Sequence, residues 1–168
     1  MNRMIHVAAF AACLAATGCN EPRADAADEA KKTAAALTGD DKMAAADNPQ
    51  CKLFTPAELE TYAGEPLAEG VNAGSALGCQ WPPKDDSGDV MVSVFGKDYH
   101  VPPNLDPTYK PLPDVGTDGF VVHEFDGWAA GAITSEAVAV KVSVAGDGAT
   151  PETAIALLKE VIKRRSGS

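Results

Sequence analysis

Between Val138 and Val144 every second residue is valine, and Lys141 and Ser143 stand among the alternate positions. In a pleated strand successive side chains point to opposite faces, so this segment has one face to bury and one that is at least partly wet. A chain carrying such a segment needs a sheet and something apolar to cover it. Val90 to Phe95 and Gly119 to Phe125, both rich in Val and Phe, supply further strands. Gly78 to Trp81 supplies another, carrying Cys79 into the sheet. Asp126-Gly127, between Phe125 and Trp128, predicts a two-residue hairpin turn, and Ser87-Gly88 and Gly146-Asp147-Gly148 mark further turns.

The cover comes from two helices. Phe54-Thr55-Pro56-Ala57-Glu58-Leu59 places Thr55 as N-cap, Pro56 at the first helical position and Glu58 in a capping box, with Phe54 facing Leu59 as a staple. Gly64 ends that short helix. Thr150-Pro151-Glu152 opens a terminal helix whose Ile155, Leu158 and Ile162, flanked by Ala154 and Val161, share one face. Lys159, Lys163, Arg164 and Arg165 crowd its last turns, where cations complement the helix dipole. The expected fold class is α+β: an antiparallel sheet of about five to six strands, with a short N-terminal helix and a C-terminal helix packed on one face.

These signals begin near Pro49, and the preceding sequence is of a different kind. Asn20 to Asn48 holds ten Ala, seven acids, four bases and no aromatic residue, too little apolar bulk for a core. As a flexible chain it would span roughly 30 Å root mean square. Met1 to Gly18 carries one basic residue, Arg3, then an apolar run from Ile5 to Ala16 and no acid, the pattern of a secretory signal. The run falls short of the roughly 20 residues that a membrane-spanning helix needs. The expected organisation is therefore a signal over 1–18, an Ala- and acid-rich tether over 19–48, and one domain over 49–168.

Leu14-Ala15-Ala16-Thr17-Gly18-Cys19 resembles the lipobox of bacterial lipoproteins. The resemblance implies that Cys19 is lipidated and becomes the first mature residue; a plain secretion signal cut elsewhere is the alternative. Asn20, in place of Asp after that Cys, implies an outer-membrane address facing the periplasm if the cell has two membranes. Cysteine counting agrees with lipidation. Cys13 leaves with the signal and Cys19 takes the lipid, so Cys51 and Cys79 remain, an even pair that in an exported chain suggests one disulfide. The pair lacks the C-x-x-C spacing of redox centres, which points to a structural bridge.

The whole chain has 14 basic against 24 acidic residues, a net charge of -10. That balance argues against a nucleic-acid partner. Residues 49–168 keep nine bases against seventeen acids, so anionic head groups would repel the domain and membrane attachment would rest on Cys19.

Few residues beyond the signal suggest chemistry. Only His100 and His123 remain there, without metal-ligand spacing, and no nucleophile elbow, phosphate loop or dinucleotide fingerprint appears. No metal, cofactor or catalytic residue is expected, and the chain does not read as an enzyme. His123, among Val121, Val122 and Phe125, is expected at the edge of the core. Asp85-Asp86-Ser87-Gly88-Asp89 lacks calcium-hand spacing and reads as a solvated turn. Glu124 and Asp126 read as turn chemistry, with acid-base work on sugars as the alternative. The unusual segment is Tyr99 to Gly116, with five prolines and Tyr99, His100 and Tyr109 among them. Long irregular segments of this kind are either stiff connectors or binding loops, and Tyr99, His100, Tyr109 and Trp128 are the candidate ligand or partner contacts.

Pro49, Cys51, Leu53-Phe54-Thr55, Gly64 and Cys79-Gln80-Trp81 together resemble a family of small bacterial envelope lipoproteins whose domain has no assigned activity. In that family a Pro-Cys and Leu-Leu-Thr start precedes a helix and a Cys-x-Trp strand linked to the first Cys. Val115-Gly116-Thr117-Asp118-Gly119 resembles its later Gly-x-Gly segment. The resemblance implies a fold and a location, with no catalytic residues. The expected function is a lipid-anchored envelope module that binds a protein partner or supports an assembly. The alternatives are a periplasmic small-ligand carrier using loop 99–116 and an envelope hydrolase using clustered carboxylates.

Overall fold

The computed structural model describes residues 43–74, 77–85, 87–135 and 137–167. The expected signal over 1–18, the lipidation site Cys19 and the tether as far as residue 42 lie outside the described residues.

The domain is α+β. Helix α1 (Pro56–Ala63) precedes strands β1 (Val71–Ala73), β2 (Gly78–Trp81), β3 (Val90–Gly96), β4 (Lys110–Pro111), β5 (Thr117–Glu124), β6 (Gly127–Ile133) and β7 (Val138–Ala145), and helix α2 (Pro151–Ser166) follows them. The strands form one sheet in the order β1-β2-β3-β7-β6-β5-β4, with every neighbouring pair antiparallel. Seven strands exceed the five to six expected. The additions are β1 and β4, three and two residues long, too short for alternation to show in sequence. β4 also ends on Pro111, a residue that sheets accept only at an edge or bulge. Both lie at the sheet edges, where short strands discourage pairing with another chain, as do Lys110 and Pro111 on β4.

The valine alternation does what it demands. Val121, Ala130, Val142, Val92 and Cys79 stand in one cross-strand row, and all five are buried in the main core. α2 covers this face, packing on β5, β6 and β7. Its buried residues are Ala154, Leu157, Leu158 and Val161, whereas Ile155 and Ile162 are half-buried. The apolar face is thus turned toward Leu157 relative to the one the spacing predicts.

Local signals set the helix ends. The Thr55 amide and hydroxyl both donate to Glu58 Oε2, at 2.8 and 3.0 Å, and Pro56 opens α1. Gly64 caps its end at φ +79°, and a side chain there would collide with the Gly148 backbone, 2.6 Å from the position of a Cβ. Thr150 Oγ1 accepts from the Thr153 amide at 3.1 Å to start α2.

The hairpin between β5 and β6 is shifted by one residue from the Asp126-Gly127 turn predicted. Glu124 pairs with Gly127, so the central residues are Phe125 and Asp126. Gly127 is the first residue of β6, and glycine is required there because a Cβ would lie 2.1 Å from the Val144 carbonyl oxygen.

Cys51, in a 3₁₀ turn over Cys51–Leu53, is disulfide-bonded to Cys79 of β2, with Cα atoms 5.0 Å apart. The segment just before is also fixed. Asn48, fully buried, donates from Nδ2 to Asn72 Oδ1 and to the Gly78 carbonyl, each at 2.8 Å. Asn72 Nδ2 in turn donates to the Met43 carbonyl at 2.6 Å. Residues 43–48 are thereby clasped to the β1 edge of the sheet.

Candidate functional site

The strand order explains the Pro-rich segment. β3 lies inside the sheet and β4 at its far edge, so the chain between them must travel past β7, β6 and β5. Lys97–Tyr99 forms a 3₁₀ turn at the start of this crossover. His100 Nε2 then pairs with the Asp118 carbonyl oxygen at 2.9 Å, and its ring lies 6.5 Å from Phe95 and 5.5 Å from Phe120. Tyr109 stacks on the other side of this row, 6.3 Å from Phe120. Phe120, Val122 and Ala129 make a small second core on the sheet face away from α2, and Tyr109 packs against it. The ring of Phe120 reaches across Gly131, where a Cβ would meet it at 2.9 Å.

The far end of the crossover is pinned by hydrogen bonds. Asp106 Oδ1 accepts from the amide and hydroxyl of Thr108, at 2.7 and 2.6 Å. Those two bonds hold the Asp106 carboxyl below the usual carboxylate range. Thr108 Oγ1 accepts from the His123 amide of β5 at 2.9 Å. Between these pins Val101 and Leu105 point to solvent, 78% and 96% exposed, and Tyr99 is 73% exposed. A loop stiffened by prolines and fixed at both ends loses little entropy when its exposed apolar groups are covered.

The four candidate contacts do not converge. His100 and Tyr109 belong to the aromatic row, and Tyr99 stands outside it. Trp128 pairs across the ladder with His123 on the opposite face, its ring 5.2 Å from the imidazole, and packs against the main core. His123 itself is exposed near the end of β5 and borders the core only through its ring contact with Trp128. Glu124 does not pair with Asp126 either. Both its oxygens receive Lys141 Nζ, at 2.8 and 2.7 Å, across the small residues of β6.

A feature that sequence spacing did not show is the meeting of three turns at one end of the sheet. Asp89, Asp126 and Asp147 line an open cleft of about 530 Å³ there, with Ser87, Gly88 and Gly146. Glu65 reaches toward it from beyond α1: its Oε2 accepts from Ser87 Oγ at 2.8 Å. Its Oε1 is buried without a hydrogen-bond partner, and a Cβ on Gly88 or Gly146 would lie within 1.9 Å of it. A second cleft of about 290 Å³ lies beside the disulfide, lined by Cys51, Lys52, Glu69, Gly70 and Trp81. Neither Tyr99 nor Tyr109 lines either cleft.

Arg164 of α2 is the main electrostatic junction. It pairs with Glu58 and Glu160 at 2.9 Å each and donates to the Leu53 carbonyl. The Arg164 hydrogen bond, aided by the Thr55 amide and hydroxyl, holds the Glu58 carboxyl down at about 2. Among the described residues no three His, Cys, Asp or Glu side chains gather as metal ligands, and no helix is long and apolar enough to cross a membrane. Compared with models of known families, with characterised proteins and with solved structures, the chain matches none.

Proposed function

We propose that this protein is a lipid-anchored cell-envelope module that acts by binding a protein partner through its Pro-rich crossover. The observation that carries the reading is the exposure of Val101 and Leu105 on a loop whose two ends are fixed by His100 and Thr108. Isolated apolar side chains on surfaces are ordinary; two of them held out on a stiff, anchored crossover form a ready contact. The anchor at Cys19 rests on the lipobox-like sequence, and residues 43–48 fasten the amino-terminal side of the domain to the β1 edge, away from β4.

Two experiments test the two parts separately. Cys19→Ala should release the protein from the membrane fraction; unchanged association overturns the anchor. A photo-crosslinker at position 105 in intact envelopes should capture one defined protein, and the capture should vanish in a Val101→Ser variant carrying the same probe. Capture that survives Val101→Ser, or none at all, overturns the loop as the contact.

A second reading, hydrolysis in the envelope, draws on Asp89, Asp126 and Asp147 opening onto one cleft. Paired carboxylates can supply a general acid and a base or nucleophile. Asp126→Asn and Asp147→Asn should each abolish any glycosidase activity measured on envelope polysaccharide, and an inactive wild-type protein removes this reading.

A further inference from the structure

Phe125 and Asp126 close the hairpin between β5 and β6, and of the two only Phe125 has a positive φ. A backbone of that kind suits Gly or Asn, and for a bulky aromatic residue it is an outlier. Phe125 takes it at +51° while remaining 95% exposed, so its ring gains almost nothing from the fold that holds it out.

The mount beneath the ring is rigid. Gly127 pairs with Glu124 on one side and with Ala145 of β7 on the other. One rung further in, the rings of His123 and Trp128 meet edge-on with centroids 5.2 Å apart. Glu124 is itself held by Lys141 Nζ, at 2.8 and 2.7 Å to its two oxygens. A side chain on such a support has few conformations to lose when it is covered. Strained backbone at an exposed position is a mark of contact and clamp sites. A Phe ring of ~150 Å² or more can carry a large share of a contact's energy when it fills a pocket.

Charge decides what kind of surface can cover it. Asp126 follows Phe125 in the loop and opens, with Asp89 and Asp147, onto the cleft at this end of the sheet. The domain as a whole has nine bases against seventeen acids. A lipid surface is a poor match, because inserting the ring would press these carboxylates toward anionic head groups. A protein pocket with Lys or Arg at its mouth meets both demands: its apolar floor takes the ring, and its cation can pair with Asp126 or lie over the ring face.

We propose that the Phe125 tip is a separate docking point, on which a partner protein closes an apolar pocket bordered by Lys or Arg. The contact does not rest on the crossover loop, whose exposed residues Val101 and Leu105 belong to a different connection of the sheet.

The test places p-benzoylphenylalanine at position 125 of the full chain and irradiates intact envelopes. One protein adduct should form, and the crosslinked residue should lie in an apolar pocket with Lys or Arg at its mouth. The captured protein, once purified, should bind the wild-type chain with an affinity that Phe125→Asn lowers by about tenfold or more, as a central anchor requires. Asn relieves the left-handed strain, so a thermal melt no lower than that of the wild type separates this loss from unfolding. Asp126→Asn should lower the affinity severalfold and flatten its dependence on salt. Capture at position 125 should survive Val101→Ser. No adduct, an adduct only with a second copy or with another part of the same chain, or a crosslinked residue on a surface without Lys or Arg would each overturn the proposal. So would an affinity unchanged by Phe125→Asn, loss of capture in Val101→Ser, or Phe125-dependent binding to vesicles of phosphatidylethanolamine and phosphatidylglycerol.

Discussion

The guanidinium of Arg164 lies 4.1 Å from the centre of the Phe54 ring. That ring meets Trp81 edge-on at a centroid distance of 6.4 Å, so the carboxy-terminal end of α2, the start of α1 and β2 are joined through three side chains. Arg164→Gln should lower stability in urea unfolding by about 1–2 kcal/mol, combining a cation over an aromatic face with partly exposed ion pairs. Arg164→Lys should lose most of that amount, because a single ammonium cannot serve Glu58, Glu160 and the Leu53 carbonyl at once. A fully stable lysine variant would show that charge alone matters.

The Glu58 carboxyl contributes to the acid limb of stability. Its hydrogen bond from Arg164, followed by those from Thr55, depresses it from 4.5 to about 2. A depressed carboxylate contributes stability that is complete above its unfolded value and is lost as pH falls through its folded one. The unfolding midpoint should thus be flat with respect to this group above pH 4.5 and decline toward pH 2. Arg164 and Lys163 also lower Glu160, adding to the same limb. Glu58→Gln should make the decline shallower. With the side chain 44% exposed, solvent screening keeps the effect small.

Replacing Cys51 and Cys79 together by Ala should cost about 3–4 kcal/mol on the chain-entropy account of a closed loop of this length. The variant should also show a steeper dependence on denaturant, since its unfolded chain expands further and exposes more surface. An unchanged slope would place the bridge's effect in the native state.

The hairpin tip carries local strain. Phe125 has φ +51° and is 95% exposed, so it meets the cost of a left-handed backbone with little burial in return. Phe125→Asn should raise stability by about 0.5–1 kcal/mol, because Asn tolerates that conformation. Gly127→Ala should do the opposite, by about 1–3 kcal/mol, as its Cβ meets the Val144 carbonyl oxygen at 2.1 Å. Thermal melts of the two variants should bracket the wild type.

What was legible in the sequence was local. The Thr55 and Thr150 caps, the αL position of Gly64 and the alternating valines of β7 are set by neighbours a few residues apart, and each stands where its spacing put it. The Cys51–Cys79 bridge followed from counting. The rest depends on distant partners. β1 and β4 exist because longer strands pair with them, and Arg164 reads as a helix-end cation until Glu58 and Leu53, more than a hundred residues away, fold against it. The candidate contacts divided for the same reason: period two sends Trp128 and Val122 to opposite faces only once the hairpin register is known. The acidic cleft was hidden because its three aspartates come from three separate turns.

The bond between Cys51 and Cys79 also determines how the domain answers a mechanical pull. Tension arriving from the amino-terminal side first loads the Asn48 clasp and then Cys51. From there it passes covalently into β2, bypassing α1 and β1. Residues 52–78 cannot pay out as slack while the bridge is closed, so the load falls directly on the ladder between β2 and β3. Reduction would turn the same segment into an extensible spring of up to roughly 90 Å.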